Sequence, residues 1–434
     1  MAKTQLMNGQ RRAAIVKGLR TPFEKAGTVF GQLTALDLGR IVVQELVQRA
    51  EIDPAQIDQV IFGQVVPGVT APSIAREVVL ASGLPRNIEA HTVARACATS
   101  IQALTDAVNS IAVGVSEVAI VGGTESMSDV PVYASRPLAH ALVEASRGKN
   151  LPDKLRPFRR LSPKDLVPVP PAIAEYSTGM TMGESAEKMA MENGISRKEQ
   201  DEIALASHQR AARAWQEGRF NDQVIHVPVP PSYEKVADKD NIVRDDTSLE
   251  ALSQLKPVFD RKYGSVTAGN SSPLTDGAAA LLVMSEEKAK ALGYEPLGFV
   301  RAYAYAATDP AGQLLQGPAY AVPVALERAG MKLSDIDLFE MHEAFASQVA
   351  SNLQAFASLE FAKSMGRAAP LGEVDRSKLN VNGGSIALGH PFAATGARVV
   401  RQALGELKRS NLNTALCTVC AAGGLGAAVI LERV

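Results

Sequence analysis

The chain has 434 residues, 46% of them apolar, and a formal net charge of -1. That length exceeds one ordinary core and predicts two or three domains, the charge balance gives no basis for nucleic-acid binding, and three cysteines, an odd number, argue for a reducing compartment over a disulfide framework. The N-terminal text MAKTQLMNGQRRAAIVKG has no apolar h-region, and no run approaches the roughly 18 apolar residues of a membrane span, so the expectation is a cytoplasmic protein.

In chain order, a helix LDLGRIVVQELVQRA leads into EIDPAQIDQVIFGQVVPG (51–68), which reads as a turn, an Ile-Asp step and an apolar strand ending in a polar loop. A strand HTVARA runs to Cys97, behind which Ile101, Leu104, Val108 and Ile111 recur at helical spacing. The thiol therefore sits at a helix N-terminus, where free N–H groups and the helix dipole favour a thiolate and any anionic oxygen beside it. An ordinary thiol titrates at about 8.5, so a base is also needed. VGGTESMS (121–128) reads as a strand and turn. Residues 129–250 differ in character, being rich in proline, charge and helical text and holding the only tryptophan, Trp215. They read as an insertion. Within it, over 147–166, Arg147, Lys149, Lys154, Arg156, Arg159, Arg160 and Lys164 outnumber Asp153 and Asp165. Leu151, Leu155 and Phe158 fall at helical spacing there, and Pro152 and Pro157 limit any helix. The segment reads either as a solvated loop or as a surface for a partner or an anionic membrane. VTAGNSSPLTDGAAALLVMS (266–285) returns to strand.

The second half repeats the pattern of the first. A helix AYAVPVALERAG precedes MKLSDIDLFEMHEAFA (331–346), the counterpart of 51–68. A strand KLNVNGGSIA is expected next, then a Gly-rich turn carrying His390, then the helix TGARVVRQALGELKRS; His390 is the candidate base for Cys97. The strand NTALCTVC ends at Cys420, ahead of Gly423, Gly424 and Gly426, which let backbone approach a ligand closely. Cys417 and Cys420 have a C-x-x-C spacing that could mean redox or zinc chemistry. An offset of three along a strand points them to opposite faces, and no second cysteine pair exists, so Cys417 is read as core and no metal is expected. His91 reads as structural, and His140, His208 and His226 as solvated or locally satisfied. The duplication predicts two similar α/β halves whose reactive turns face one crevice: 1–128 with 251–295, and 296–434, with 129–250 inserted.

VARACATSIQAL, VGGTESMS, the 266–285 run, GHPFAATGAR and CAAGGLG, in this order, resemble the motifs of thiolases, enzymes that cleave or form 3-ketoacyl-CoA thioesters, over nearly the whole chain. The resemblance implies an αβαβα five-layer fold with an inserted loop domain that carries much of the CoA binding. It implies Cys97 as acyl-thioester nucleophile, His390 as base and oxyanion donor, Cys420 as acid and base, and His342 as oxyanion donor. The backbone N–H groups of Cys97 and Ala422 would hold the tetrahedral oxygen, although the family commonly has glycine at Ala422. CoA would be a co-substrate, with no bound cofactor, meeting Ser272, Met182, Ala344 and Phe345; Arg244 could meet its phosphates. Thr181 stands where a histidine often precedes the Met-Gly pair.

His342 in EMHEAFA, where many thiolases have asparagine, together with CATS and LVPVPPAIAEYSTGMTMGESAE, resembles the β-subunits of fatty-acid β-oxidation complexes, nearest the bacterial anaerobic type. That implies thiolytic cleavage by a homodimer, assembled with an α-subunit bearing enoyl-CoA hydratase and 3-hydroxyacyl-CoA dehydrogenase activities. A biosynthetic acetoacetyl-CoA thiolase is disfavoured by His342 and the insertion. A ketosynthase-like condensing enzyme has no second catalytic thiol to match Cys420, and a silent structural subunit would have lost reactive residues that this chain keeps.

Overall fold

The computed structural model describes residues 11–171 and 174–433, which divide into two compact units: residues 66–72 with 130–173, and the remainder. The larger unit begins with β1 (Ala13–Arg20), α1 (Ala35–Ala50), β2 (Gln59–Gly63), α2 (Ile74–Ala81), β3 (Glu89–Val93), α3 (Thr99–Ala112) and β4 (Val118–Glu125). After α4 (Met182–Glu192) and α5 (Arg197–Gln216), β5 (Thr275–Ser285) completes the first repeat. The second comprises β6 (Gly298–Ala307), α6 (Gly317–Ala329), β7 (Leu338–Met341), α7 (Ala346–Ala357), α8 (Thr395–Arg409), β8 (Thr414–Ala421) and β9 (Leu425–Glu432).

The strands run β3-β2-β4-β5-β1-β6-β9-β8-β7 across one sheet. The order is a palindrome of roles, with the opening strands β1 and β6 joined at the centre through Ala14↔Phe299 and Ile15↔Gly298. β2 and β4, and β7 and β8, pair in parallel, as βαβ crossovers require.

Layering follows from which way alternate side chains point. On β5, Ala279, Leu281 and Val283 join a core with Ile101, Leu104, Val108 and Ile111 of α3 and Val399, Val400, Ala403 and Leu404 of α8. Their neighbours Ala278, Ala280, Leu282 and Met284 join α1 and α2 instead. The second half packs Ala428 and Ile430 against α6 and α7. The result is αβαβα, with α3 and α8 as the middle layer. Strands buried on both faces explain why GAAALLVMS reads as unbroken apolar text. Each of the four large α3 side chains is at most 1% exposed, and each such burial is worth about 1.5–3 kcal/mol.

Two sequence expectations need correction. HTVARA is strand only to Val93, because the chain must turn before the nucleophile. KLNVNGGSIA is no strand at all. Leu379 makes a single bridge to Phe339, the residue of β7 that pairs where β3 would, and the chain then turns at Asn380 (φ 47°). The Asn380 amide takes over the ladder's work, accepting from Met341 N at 2.8 Å and donating to Met341 O at 2.9 Å. Ser385–Leu388 follows as a short helix.

In the smaller unit, the helix Arg136–Ser146 is capped by Ser135, and Leu151–Leu155 by Asn150. Pro152 and Pro157 sit in the opening turns of Leu151–Leu155 and of the 3-10 turn Arg156–Arg160, where a missing N–H is harmless. Leu151 and Leu155 are 68% and 56% exposed, and Arg156, Arg159 and Arg160 are exposed too, while Pro157 between them is buried. Arg160 lies 3.7 Å from Glu144, an ion pair of little energetic weight at an exposed site. Among the described residues no helix is long and apolar enough to cross a membrane.

Candidate active site

Cys97 stands two residues ahead of α3, on a turn that bends sharply. Ala96 takes φ 43°, a left-handed conformation that costs a non-glycine residue about 1 kcal/mol or more. Thr99 holds the turn closed: its hydroxyl donates to Ala96 O at 2.6 Å and accepts from Arg95 N at 2.8 Å. The same residue thus starts the helix and fixes the nucleophile's backbone. Cys97 keeps part of its surface accessible, whereas Cys417 and Cys420 are fully buried.

His390 arrives from the other half, on the loop before α8. Gly389 needs φ 102°, and a Cβ there would press on Ile242 and Thr275. Thr275 at the start of β5 accepts the His390 backbone N–H at 3.0 Å, and Thr395 Oγ1 lies 2.6 Å from Nδ1. This orients the ring so that Nε2 meets Cys97 Sγ at 3.1 Å. When Nδ1 carries the hydrogen and donates it to Thr395 Oγ1, Nε2 is left as the free base.

Burial pushes the Cys97 thiol up to about 12, opposed by the N–H groups of Ala422 and of Cys97 itself, which both face the sulfur. Burial, with a contribution from Arg398, lowers His390 to about 3. The resting pair is therefore thiol and neutral imidazole.

The turn after β8 places Ala422. Gly423 and Gly424 take φ 82° and 68°, and a Cβ on Gly424 would collide with Thr308 O, so only glycine lets the β8–β9 hairpin close here. Cys420, the last but one residue of β8, has its thiol raised well above the ordinary range by burial and then by nearby Cys97. Cys417 points the other way, into the α3 and α8 core, as the spacing argument anticipates.

His342, at the end of β7, is fully buried, and its ring centroid lies 4.1 Å from that of His390. Ser385 Oγ lies 2.7 Å from its Nδ1 and accepts from Arg398 Nη2 at 2.6 Å. Burial, His390 and Arg398 hold its pKa well below the ordinary imidazole range. Cys97, His342 and His390 bring ligand atoms to within 4.8 Å of one another, a donor set zinc accepts and a spacing proton transfer equally needs. Glu343 ties the neighbourhood together, accepting from Ser207 Oγ at 2.7 Å, Asn380 Nδ2 at 2.6 Å and Ile386 N at 3.2 Å.

Of the expected CoA contacts, Met182, Ala344 and Phe345 gather in one apolar cluster with Cys420, Leu314 and Leu315. Ser272 N donates to Ala344 O at 2.9 Å. Arg244 lines a cavity of about 640 Å³ with Asn241, Pro273, His208 and Ser271, the bridge partner of Phe345. His208 is buried and accepts the Arg244 N–H on Nδ1 at 3.2 Å. His140 and His226 are exposed, and His91 lies on β3 near Glu89. Ser385, Arg398, Thr275 and Thr395 escaped the sequence reading. Thr395 and Arg398 lie inside GHPFAATGAR, so the motif text itself was the available signal.

A thiol and its base from opposite repeats, with amide donors on the sulfur and a second thiol behind, define an acyl-transferring enzyme. The chain belongs to the thiolase family: residues 13–287 match its N-terminal domain and 294–433 its C-terminal domain. It is 52% identical over 432 residues to a 3-ketoacyl-CoA thiolase of Shewanella piezotolerans, covering 99% of each chain. Among solved structures, the Bacillus anthracis acetyl-CoA acetyltransferase superposes with a TM-score of 0.85 at 34% identity, covering 99% of this chain and 100% of that one. Human mitochondrial 3-ketoacyl-CoA thiolase gives 0.82 at 32%, covering 98% and 99%.

Proposed function

We propose that this thiolase cleaves 3-ketoacyl-CoA with CoA, giving acetyl-CoA and a shortened acyl-CoA in fatty-acid β-oxidation. The observation that carries the reading is the 3.1 Å contact between Cys97 Sγ and His390 Nε2, with Cys420 beside it. The 52% identity to 3-ketoacyl-CoA thiolases over nearly the whole chain supports 3-ketoacyl-CoA cleavage.

In this reading His390 Nε2 takes the Cys97 proton as the thiolate attacks the keto carbon of the substrate. The alkoxide collapses, the bond between carbons 2 and 3 breaks, and its electron pair passes into the enolate of acetyl-CoA. Cys420 gives carbon 2 a proton, and acetyl-CoA leaves. CoA returns a proton to Cys420 as its sulfur attacks the acyl-Cys97 carbonyl. Cys97 departs and recovers the proton held by His390. The N–H groups of Cys97 and Ala422 serve the tetrahedral oxygens, while His342 and His390 serve the enolate oxygen. Met182, Ser272, Ala344 and Phe345 are assigned to the pantetheine and Arg244 to the phosphates.

The test is CoA-dependent cleavage of 3-ketoacyl-CoAs of increasing chain length. Rates that persist or rise beyond the four-carbon substrate, roughly the smallest possible, are expected; activity confined to acetoacetyl-CoA would leave the biosynthetic reading in its place.

The reading extends to a cytoplasmic homodimer that assembles with an α-subunit supplying hydratase and dehydrogenase steps. The exposed Arg156, Arg159 and Arg160 are assigned to that partner or to an anionic membrane surface. Changing all three to Glu is expected to weaken co-purification with the α-subunit or sedimentation with anionic liposomes, by about 1 kcal/mol per residue for the latter, without altering cleavage of free substrate. If both bindings persist, the segment is a solvated loop.

A further inference from the structure

We infer that Ser385, held by Arg398, is a positioning residue that fixes His342 in the tautomer carrying its proton on Nε2, aimed at the reacting carbonyl region. The inference rests on the catalytic reading above and goes beyond it by naming what sets the donor.

A neutral imidazole has one N–H, and only one of its nitrogens can donate. Ser385 Oγ has two neighbours, Arg398 Nη2 at 2.6 Å and His342 Nδ1 at 2.7 Å. A guanidinium only donates, so Arg398 occupies an Oγ lone pair and leaves the hydroxyl hydrogen to be placed. His342 Nδ1 is the one acceptor within reach. Accepting that hydrogen requires Nδ1 to be bare, and the ring proton then stands on Nε2.

His342 Nε2 is buried and has no hydrogen-bond partner among the described residues. A polar atom left so in a fully buried ring is costly unless a ligand completes it. The ring stands 4.1 Å from that of His390, centroid to centroid, and a ring nitrogen lies within 4.8 Å of Cys97 Sγ, so the unpartnered Nε2 belongs to the group of atoms around the nucleophile, where an enolate oxygen would need a donor. The other tautomer would present a lone pair to that oxygen and strand the serine hydrogen. Arg398 is itself anchored, its Nη1 lying 4.0 Å from the Glu340 carboxylate that also receives Gln402 Nε2 at 3.1 Å. Its positive charge polarises the serine hydroxyl and strengthens the bond to Nδ1. The relay therefore runs Glu340, Arg398, Ser385, His342.

The experiment uses the intact protein labelled with [15N]histidine, whose six imidazoles give a tractable spectrum. His342 is assigned by the signal lost in His342→Asn. The wild-type ring is expected to carry hydrogen on Nε2, with Nδ1 as acceptor; hydrogen on Nδ1 overturns the inference outright. Ser385→Ala is expected to mix the tautomers and to lower kcat for carbon–carbon cleavage by about 10–10²-fold, somewhat less than the 10²–10³ typical of a deleted oxyanion donor such as His342→Ala. KM and the acylation of Cys97 by a simple acyl-CoA are expected to move little, and Ser385→Thr, which keeps the hydroxyl, to recover most of the rate. Unchanged cleavage in Ser385→Ala, or an equal loss of acylation and cleavage, overturns it. Should Ser385→Ala fail to fold, the wild-type tautomer and Ser385→Thr still decide. Failure of wild-type Cys97 to become acylated would sink the catalytic reading, and the tautomer would then judge the relay alone.

Discussion

Replacing Cys97 with alanine is expected to lower turnover by about 10⁴-fold or more, because no other group at the site can hold the acyl chain covalently. The fold is expected to survive. Cys97 is partly accessible and its turn is held by Thr99 through backbone atoms, so the lost sulfur leaves no large cavity. A labelled acyl-CoA checks the assignment, with the label expected on Cys97 in the wild type and absent from the variant. Label recovered from Cys417 or Cys420 would overturn it. Alkylation gives a second measure, since those two thiols are 0% exposed and only Cys97 offers itself to reagent. With His390 lowered to about 3, the base is present throughout the neutral range. The alkylation rate is therefore expected to show no inflection near 6.5, roughly the ordinary imidazole value.

Cys420→Ala is expected to separate the two half-reactions. Cys97 should still be acylated by a simple acyl-CoA, whereas carbon–carbon cleavage should fall by about 10²–10⁴, the usual weight of a general acid or base. The physical basis is a thiol kept protonated by burial beside Cys97, where it can give a proton to carbon but has no base of its own to make it a nucleophile. Cys420→Ser is a useful companion because it keeps the volume within the apolar cluster around Met182 and Phe345 and replaces the thiol by a much weaker acid. Single-turnover measurements of labelled acyl transfer and of acetyl-CoA release read the two steps independently. Equal cleavage rates in both variants and the wild type would remove Cys420 from the chemistry.

The legible parts of the sequence were those governed by local pattern. Ile101, Leu104, Val108 and Ile111 announced α3 because a half-buried helix must repeat its apolar residues, and the repeat of 51–68 at 331–346 announced two halves. The opposite facing of Cys417 and Cys420 needed only the period of a strand. KLNVNGG defeated pattern reading because a side chain, Asn380, replaces the strand's own hydrogen bonds there, and no periodicity records that exchange. Ser385 was invisible for a related reason. Its meaning depends on Arg398 and His342, thirteen and forty-three residues away in sequence, meeting at one oxygen.

The seam between α3 and α8 carries a consequence of its own. Ala397 N donates to Ser100 Oγ at 2.8 Å, and a Cβ added to Gly396 would lie 2.7 Å from Ile101 Cγ1 and 2.8 Å from its backbone nitrogen. The gap between the two helices thus bears on how far the imidazole on the loop before α8 must reach for the sulfur on the turn before α3. Duplication ordinarily leaves a spare copy free to drift. In the proposed chemistry the two copies divide a single inventory, the first keeping the nucleophile and the second the base and the acid, so neither is spare. A bulkier residue at Gly396 must push the two helices apart, and with them the turns that bear Cys97 and His390, so the contact between the halves is part of the geometry of the site.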